Sequence, residues 1–109
     1  MNRSAFLPLT ETTYLILIAL IEPGHGYRIM QKVEELSEGN VRIAAGTMYG
    51  AIDNLMKLNW IQSVPSADAR RKVYQITEAG MNILKEETNR LKSMVAIADE
   101  FHGHINALE

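Results

Sequence analysis

Apolar residues recur along this chain at helical spacing in four places, with short β-like stretches between the second and third and between the third and fourth. Thr10 is placed to cap a first helix, Glu11 suits its positive end, and Leu15, Ile18 and Ile21 form a buried stripe before Pro23-Gly24 ends it. A second helix is predicted from His25 or Gly26, with Ile29, Val33 and Leu36 inward and a stop at Gly39. Val41-Arg42-Ile43 alternates, as a very short strand or an extended turn does. From Gly46, Met48, Ile52 and Leu55 return at i, i+4 and i+7, the spacing of one buried helix face. Thr47, Gly50, Asn54 and Lys57 fall on the other side.

Two segments rich in β-branched and aromatic residues follow, Trp60 to Val64 and Lys72 to Ile76, separated by Pro65-Ser66-Ala67-Asp68. This is a hairpin. Thr77 then caps a final helix, with Glu78 in its first turn, predicted to run to about Leu108 despite Gly103. Leu84, Thr88, Leu91, Val95 and Ala98 step along it by fours and threes, and Met94, Ile97 and Phe101 add a neighbouring row. Those rows exceed what one small domain can bury, so a partner helix is expected, with Leu84, Leu91, Met94, Val95, Ala98 and Phe101 as the dimerisation residues. The predicted class is mainly α with a small β-hairpin: a winged helix-turn-helix over residues 1–77 and a C-terminal dimerisation helix over 78–109.

A helix that feeds a hairpin with a cationic tip reads as a recognition helix and its wing. The outward stripe of the helix is small and polar, as a major groove requires, because bulky apolar groups are unfavourable there and acids are repelled by phosphate. Net charge is −2, which argues weakly against a nucleic-acid partner until its distribution is considered. Between positions 39 and 76, Arg42, Lys57, Arg70, Arg71 and Lys72 face only Asp53 and Asp68, a local charge of +3. From 77 to 109, Lys85, Arg90 and Lys92 are outnumbered by Glu78, Glu86, Glu87, Asp99, Glu100 and Glu109, a local charge of −3. The positive field therefore belongs to the helix and wing.

With 109 residues, 47% of them hydrophobic, one compact unit is expected. Cysteine is absent, so disulfides and thiolate zinc sites are excluded and a cytoplasmic location is the default. The most apolar run, Tyr14 to Ile21, is far below the roughly 20 residues of a membrane span, and nothing around it reads as a signal peptide or a membrane partner. His102 and His104 point to different helix faces and have no third ligand at metal-site spacing, so neither metal nor cofactor is expected. His25 serves as a helix cap or a phosphate contact. No nucleophile with an adjacent base, no phosphate-cradling glycine loop and no inward carboxylate pair speaks for an enzyme. The rival is a winged-helix module that binds proteins without binding DNA.

Four motifs occur in order: HGYRI at 25–29, GTMY at 46–49, LNWI at 58–61 and RRKVYQITEAG at 70–80. Together they make the chain resemble the PadR family of transcriptional regulators, over nearly its whole length and in the compact class with a single C-terminal helix. The resemblance implies a prokaryotic winged helix-turn-helix repressor that dimerises through its last helix and binds a palindromic operator in double-stranded DNA. Some relatives respond to phenolic acids and others to hydrophobic drugs, so a small hydrophobic or aromatic effector is an implied partner, for which Met94, Ile97, Ala98 and Phe101 are the candidate contacts. Carried over, the DNA-facing residues are Tyr27 and Arg28 in the second helix, Thr47, Tyr49 and Gly50 in the recognition helix, and Arg70, Arg71 and Lys72 in the wing. Arg42 and Asn54 join them from the residue pattern. One departure stands out: Ala44-Ala45 occupy the place of the family's Ser-Pro, removing a capping hydroxyl and a residue preset for the first turn.

Overall fold

The computed structural model describes residues 4–68 and 70–107. Elements follow in the order α1 (Glu11–Ala19), β1 (Gly24–His25), α2 (Gly26–Leu36), α3 (Ala45–Lys57), β2 (Ile61–Val64), β3 (Val73–Ile76), α4 (Glu78–Asp99) and α5 (His102–Asn106). The architecture is mostly helical with one small antiparallel sheet, a winged helix-turn-helix.

The caps form where the sequence places them. The Thr10 hydroxyl accepts from Thr13 N–H, His25 Nδ1 from Arg28 N–H, and the Thr77 hydroxyl from Gly80 N–H. Both α2 and α3 end in a left-handed residue, Glu38 (φ 53°) and Asn59 (φ 61°). At these ends Gly39 N–H bonds the Glu34 carbonyl and Trp60 N–H the Leu55 carbonyl, closing the last turns.

Several expectations are corrected. In α1 the buried residues are Ile16, Leu17 and Ala19, joined by Leu20 at its C-cap, while Ile21 is exposed and Leu15 and Ile18 are half-buried. The helix is apolar nearly all round, so its spacing could not single out the face set by packing against α2 and α4. Ile29 and Val33 are buried as expected, but Leu36, at the end of α2, is exposed. Of the two alternatives for Val41-Arg42-Ile43, the strand does not form, and the segment is an irregular connection into α3.

The hairpin is part of a three-stranded sheet in the order β1-β3-β2, because Gly24 and His25 pair with Tyr74 and Val73. β2 pairs with β3 from Ile61↔Ile76 to Val64↔Val73. β3 is thus central, and the Ile76 N–H bond to the Leu20 carbonyl ties it to the end of α1.

Met48, Ile52 and Leu55 of α3 meet Ile16, Leu17, Leu20, Ile29 and Val33 in one core, closed on the sheet side by Trp60, Ile61, Tyr74 and Ile76. The first half of α4 completes it with Ile83 and Leu84. Tyr14 and Thr88 meet at 2.7 Å, and since the Thr88 hydroxyl donates to the Leu84 carbonyl, Tyr14 is the donor. Glu87 is buried, accepts the Leu9 N–H at 2.6 Å and pairs with Arg90. This contact lifts the Arg90 guanidinium further above its ordinary value, chiefly through the hydrogen bond to Glu87.

The final helix is not continuous. α4 ends at Asp99, the chain turns at Glu100 and Phe101, and the short α5 carries Gly103; Leu108 lies outside the described residues. No helix among the described residues is long and apolar enough to cross a membrane.

Candidate nucleic-acid interface

α3 begins at Ala45 with Ala44 in extended N-cap geometry (φ −68°, ψ 149°), and Ala44 has no side-chain acceptor for the first-turn amides. Its inward face is consumed by the core. Thr47, Gly50, Asn54 and Lys57 are all exposed on the opposite face.

α2 enters close against α3. A β-carbon on Gly26 would stand 2.9 Å from Tyr49 Oη and 3.0 Å from Met48 Cε, so the tips of these two α3 side chains lie directly over the start of α2. Tyr49 and Tyr27 are more than half exposed. With His25, Arg70, Arg71, Lys72 and Tyr74 they line one concavity of about 400 Å³ between α2, α3 and the wing.

The five expected residues Tyr27, Tyr49, Arg70, Arg71 and Lys72 are therefore brought together, although they come from three separate segments. Arg70, Arg71 and Lys72 precede β3, in the connection from β2, and all three are exposed. The Asp68 carboxylate stands 4.0 Å from both Arg70 Nε and Arg71 Nε. Arg71 Nη1 turns inward to 3.0 Å from His25 Nε2. Burial raises the Tyr74 hydroxyl above its ordinary value, helped by Asp53 and Tyr49, so it stays protonated as a donor.

Other expected residues lie apart from this concavity. Arg28 runs along α2 to Glu35 at 3.3 Å, and Arg42 meets Glu34 at 3.0 Å, so each is half of an exposed ion pair. Thr47, Gly50 and Asn54 face outward on α3 without lining the concavity. Sequence reasoning missed Tyr74 altogether, although its alternation with Val73 and Gln75 in β3 offered a signal. It left His25 between two roles.

On the C-terminal side, Leu84 is in the domain core. The exposed row begins at Leu91 and continues through Met94 (53% exposed), Val95 (60%), Ile97 (56%) and Phe101 (54%), with Ala98 half-buried. A largely apolar groove of about 350 Å³ runs between α1 and α4, lined by Tyr14, Thr88, Leu91 and Val95 among others. Met94, Ile97, Ala98 and Phe101 do not line it. Among the described residues, no group of three or more His, Asp or Glu could hold a metal ion.

The chain matches the family described as "Transcriptional regulator PadR-like family" over residues 15–86, most of its length. No curated protein matches it. A transcriptional regulator from Clostridium thermocellum, Cth-833, superposes with a TM-score of 0.71 at 26% identity, over 83% of this chain and 88% of that one. A PadR family transcriptional regulator from Eggerthella lenta gives 0.67 at 23%, over 82% and 79%. RosR of H. salinarum shares the fold at 0.65 and 20%, over 90% and 98%. With a winged helix, a cationic wing and this match, the chain belongs to the PadR-like family of transcriptional regulators, DNA-binding proteins rather than enzymes.

Proposed function

We propose that this PadR-like regulator acts in the cytoplasm as a homodimeric repressor on a palindromic promoter site. The observation that carries the reading is the shared concavity, in which Tyr49 of α3 stands beside Arg70, Arg71 and Lys72 of the wing. α3 enters the major groove with Thr47, Gly50 and Asn54 toward base edges, and the wing cations hold phosphates or the adjacent minor groove. Two copies joined through the exposed row of α4 and α5 present their recognition helices about 34 Å apart, one duplex turn. Arg28 and Arg42 contribute less, because Glu35 and Glu34 offset their charge.

A small hydrophobic or aromatic effector that preferred one arrangement of the α4 pair would shift operator affinity, with coupling on the order of 1–3 kcal/mol. Met94, Ile97, Ala98 and Phe101 remain its proposed contacts.

The test is retardation of the gene's own upstream DNA across a salt series. Affinity falls steeply with salt, and the Arg70→Ala, Arg71→Ala double variant flattens the slope of log affinity against log salt by about two per protomer, about four for the dimer. Absence of retardation at low salt overturns the reading in favour of a winged-helix module that binds proteins.

A further inference from the structure

His25 and Arg71 lie 46 positions apart in sequence, yet their nitrogens Nε2 and Nη1 stand 3.0 Å apart in the concavity. Their protons do not fit each other. An imidazole has at most one acceptor nitrogen, and a guanidinium only donates. His25 spends its acceptor on the helix: Nδ1 takes the Arg28 N–H at 3.2 Å and caps α2. Nε2 therefore carries its hydrogen, and the ring is the neutral Nε2–H tautomer. Two N–H donors then converge, with no acceptor between them among the described residues. The Asp68 carboxylate, 4.0 Å from Arg71 Nε, is beyond hydrogen-bond reach.

The same wall carries Arg70, Lys72 and the hydroxyl-bearing Tyr27, Tyr49 and Tyr74. The arrangement is rich in donors and positive charge, and it suits an anionic oxygen that accepts from both nitrogens. β1–β3 pairing holds the two residues in place, because His25 is in register with Val73, two residues beyond Arg71.

We propose that His25 and Arg71 together grip one backbone phosphate of the bound DNA, with His25 acting as a neutral donor and Arg71 as the charged one. The inference rests on the DNA-binding reading above. It makes His25 a direct DNA contact that anchors the wing to the start of α2, so the wing and the helix-turn-helix engage the same phosphate.

His25→Asn separates capping from binding. Its amide oxygen accepts the Arg28 N–H and keeps the cap, but the shorter side chain cannot place a donor where Nε2 stands. The variant should melt with the wild type. On a duplex that the wild type retards, it should bind about tenfold more weakly with an unchanged salt slope, because a neutral donor releases no counterion. Arg71→Ala should lower both affinity and slope, the slope by about one per protomer, about two for the dimer. The double variant should lose less than the product of the two single losses.

Methylphosphonate linkages introduced one at a time give a second readout. One position per half-site should weaken wild-type binding most, cost each single variant less, and cost the double variant nothing further. The proposal is overturned if His25→Asn binds as the wild type does, if its slope also falls, if the losses multiply, or if no linkage distinguishes variant from wild type. Should the wild type retard no duplex at all, DNA binding fails and this inference with it, a result distinct from any of these.

Discussion

Gly80 lies so close to Trp60 that a β-carbon on it would stand 2.1 Å from the Trp60 carbonyl oxygen and 2.7 Å from Ile76 Cγ1. That carbonyl also accepts the Thr77 N–H at 2.9 Å, so the entry to the hairpin and the cap of α4 meet at one point. Backbone, rather than a movable side-chain tip, has to yield to any substituent. Gly80→Ala is expected to destabilise the fold by about 2–3 kcal/mol despite alanine's better helix propensity. Urea unfolding followed by circular dichroism measures it, and a stabilised variant would show that α4 is seated elsewhere.

Ala44 holds N-cap geometry with nothing to cap with. α1, α2 and α4 each have a side-chain acceptor at the corresponding position, from Thr10, His25 and Thr77. Ala44→Ser is expected to stabilise the protein by about 1 kcal/mol, because the backbone is already extended there and only the hydroxyl is missing. A raised melting temperature checks this, and no gain would mean that the first-turn amides are already satisfied.

α3 was legible in the sequence because Thr47, Asp53, Asn54 and Lys57 fall away from Met48, Ile52 and Leu55, leaving that triad as its strongest apolar stripe. α1 was not, since every residue from Leu15 to Ile21 is apolar and many triads satisfy the period. β1 has two residues, too few for any alternation to register, and only its pairing with β3 defines it. On α4, Leu84 and Leu91 belong to one seven-residue step, yet the first is covered by its own domain and the second is exposed. Periodicity reports that a face is apolar, and says nothing of which chain covers it. The wing cations were legible as a motif, whereas the His25–Arg71 contact depends on tertiary pairing that no local spacing encodes.

Tyr74 should make stability fall at alkaline pH. Burial, then Asp53 and Tyr49, raises its hydroxyl above the ordinary value of 10.0 in the folded protein. The unfolded chain therefore releases this proton first. The stabilisation is full below about pH 10 and is lost as pH rises through the folded value. Tyr74→Phe removes the titrating group, so its unfolding free energy should decline less than that of the wild type over this range. Equal declines would locate the alkaline sensitivity in other groups.

α4 leaves the domain halfway along its length. Gly80, Ile83, Leu84 and Glu87 are buried, and beyond them Met94, Val95, Ile97 and Phe101 are each more than half exposed. The chain measures 55 × 33 × 20 Å, an elongated body for 109 residues. Contiguous apolar surface of this kind marks an interface, and a second copy of the same helix offers the matching rows. A dimer is expected in sedimentation equilibrium at micromolar concentration. Met94→Glu with Ile97→Glu places two like charges per chain in that interface, where they face their symmetry mates without counterions. The variant should sediment as a monomer with its winged-helix core intact, because neither residue contributes to that core. Its affinity for a two-half-site duplex should drop by far more than its affinity for a single half-site, since one helix pair no longer presents two recognition helices together. A wild-type protein that sediments as a monomer would contradict this arrangement.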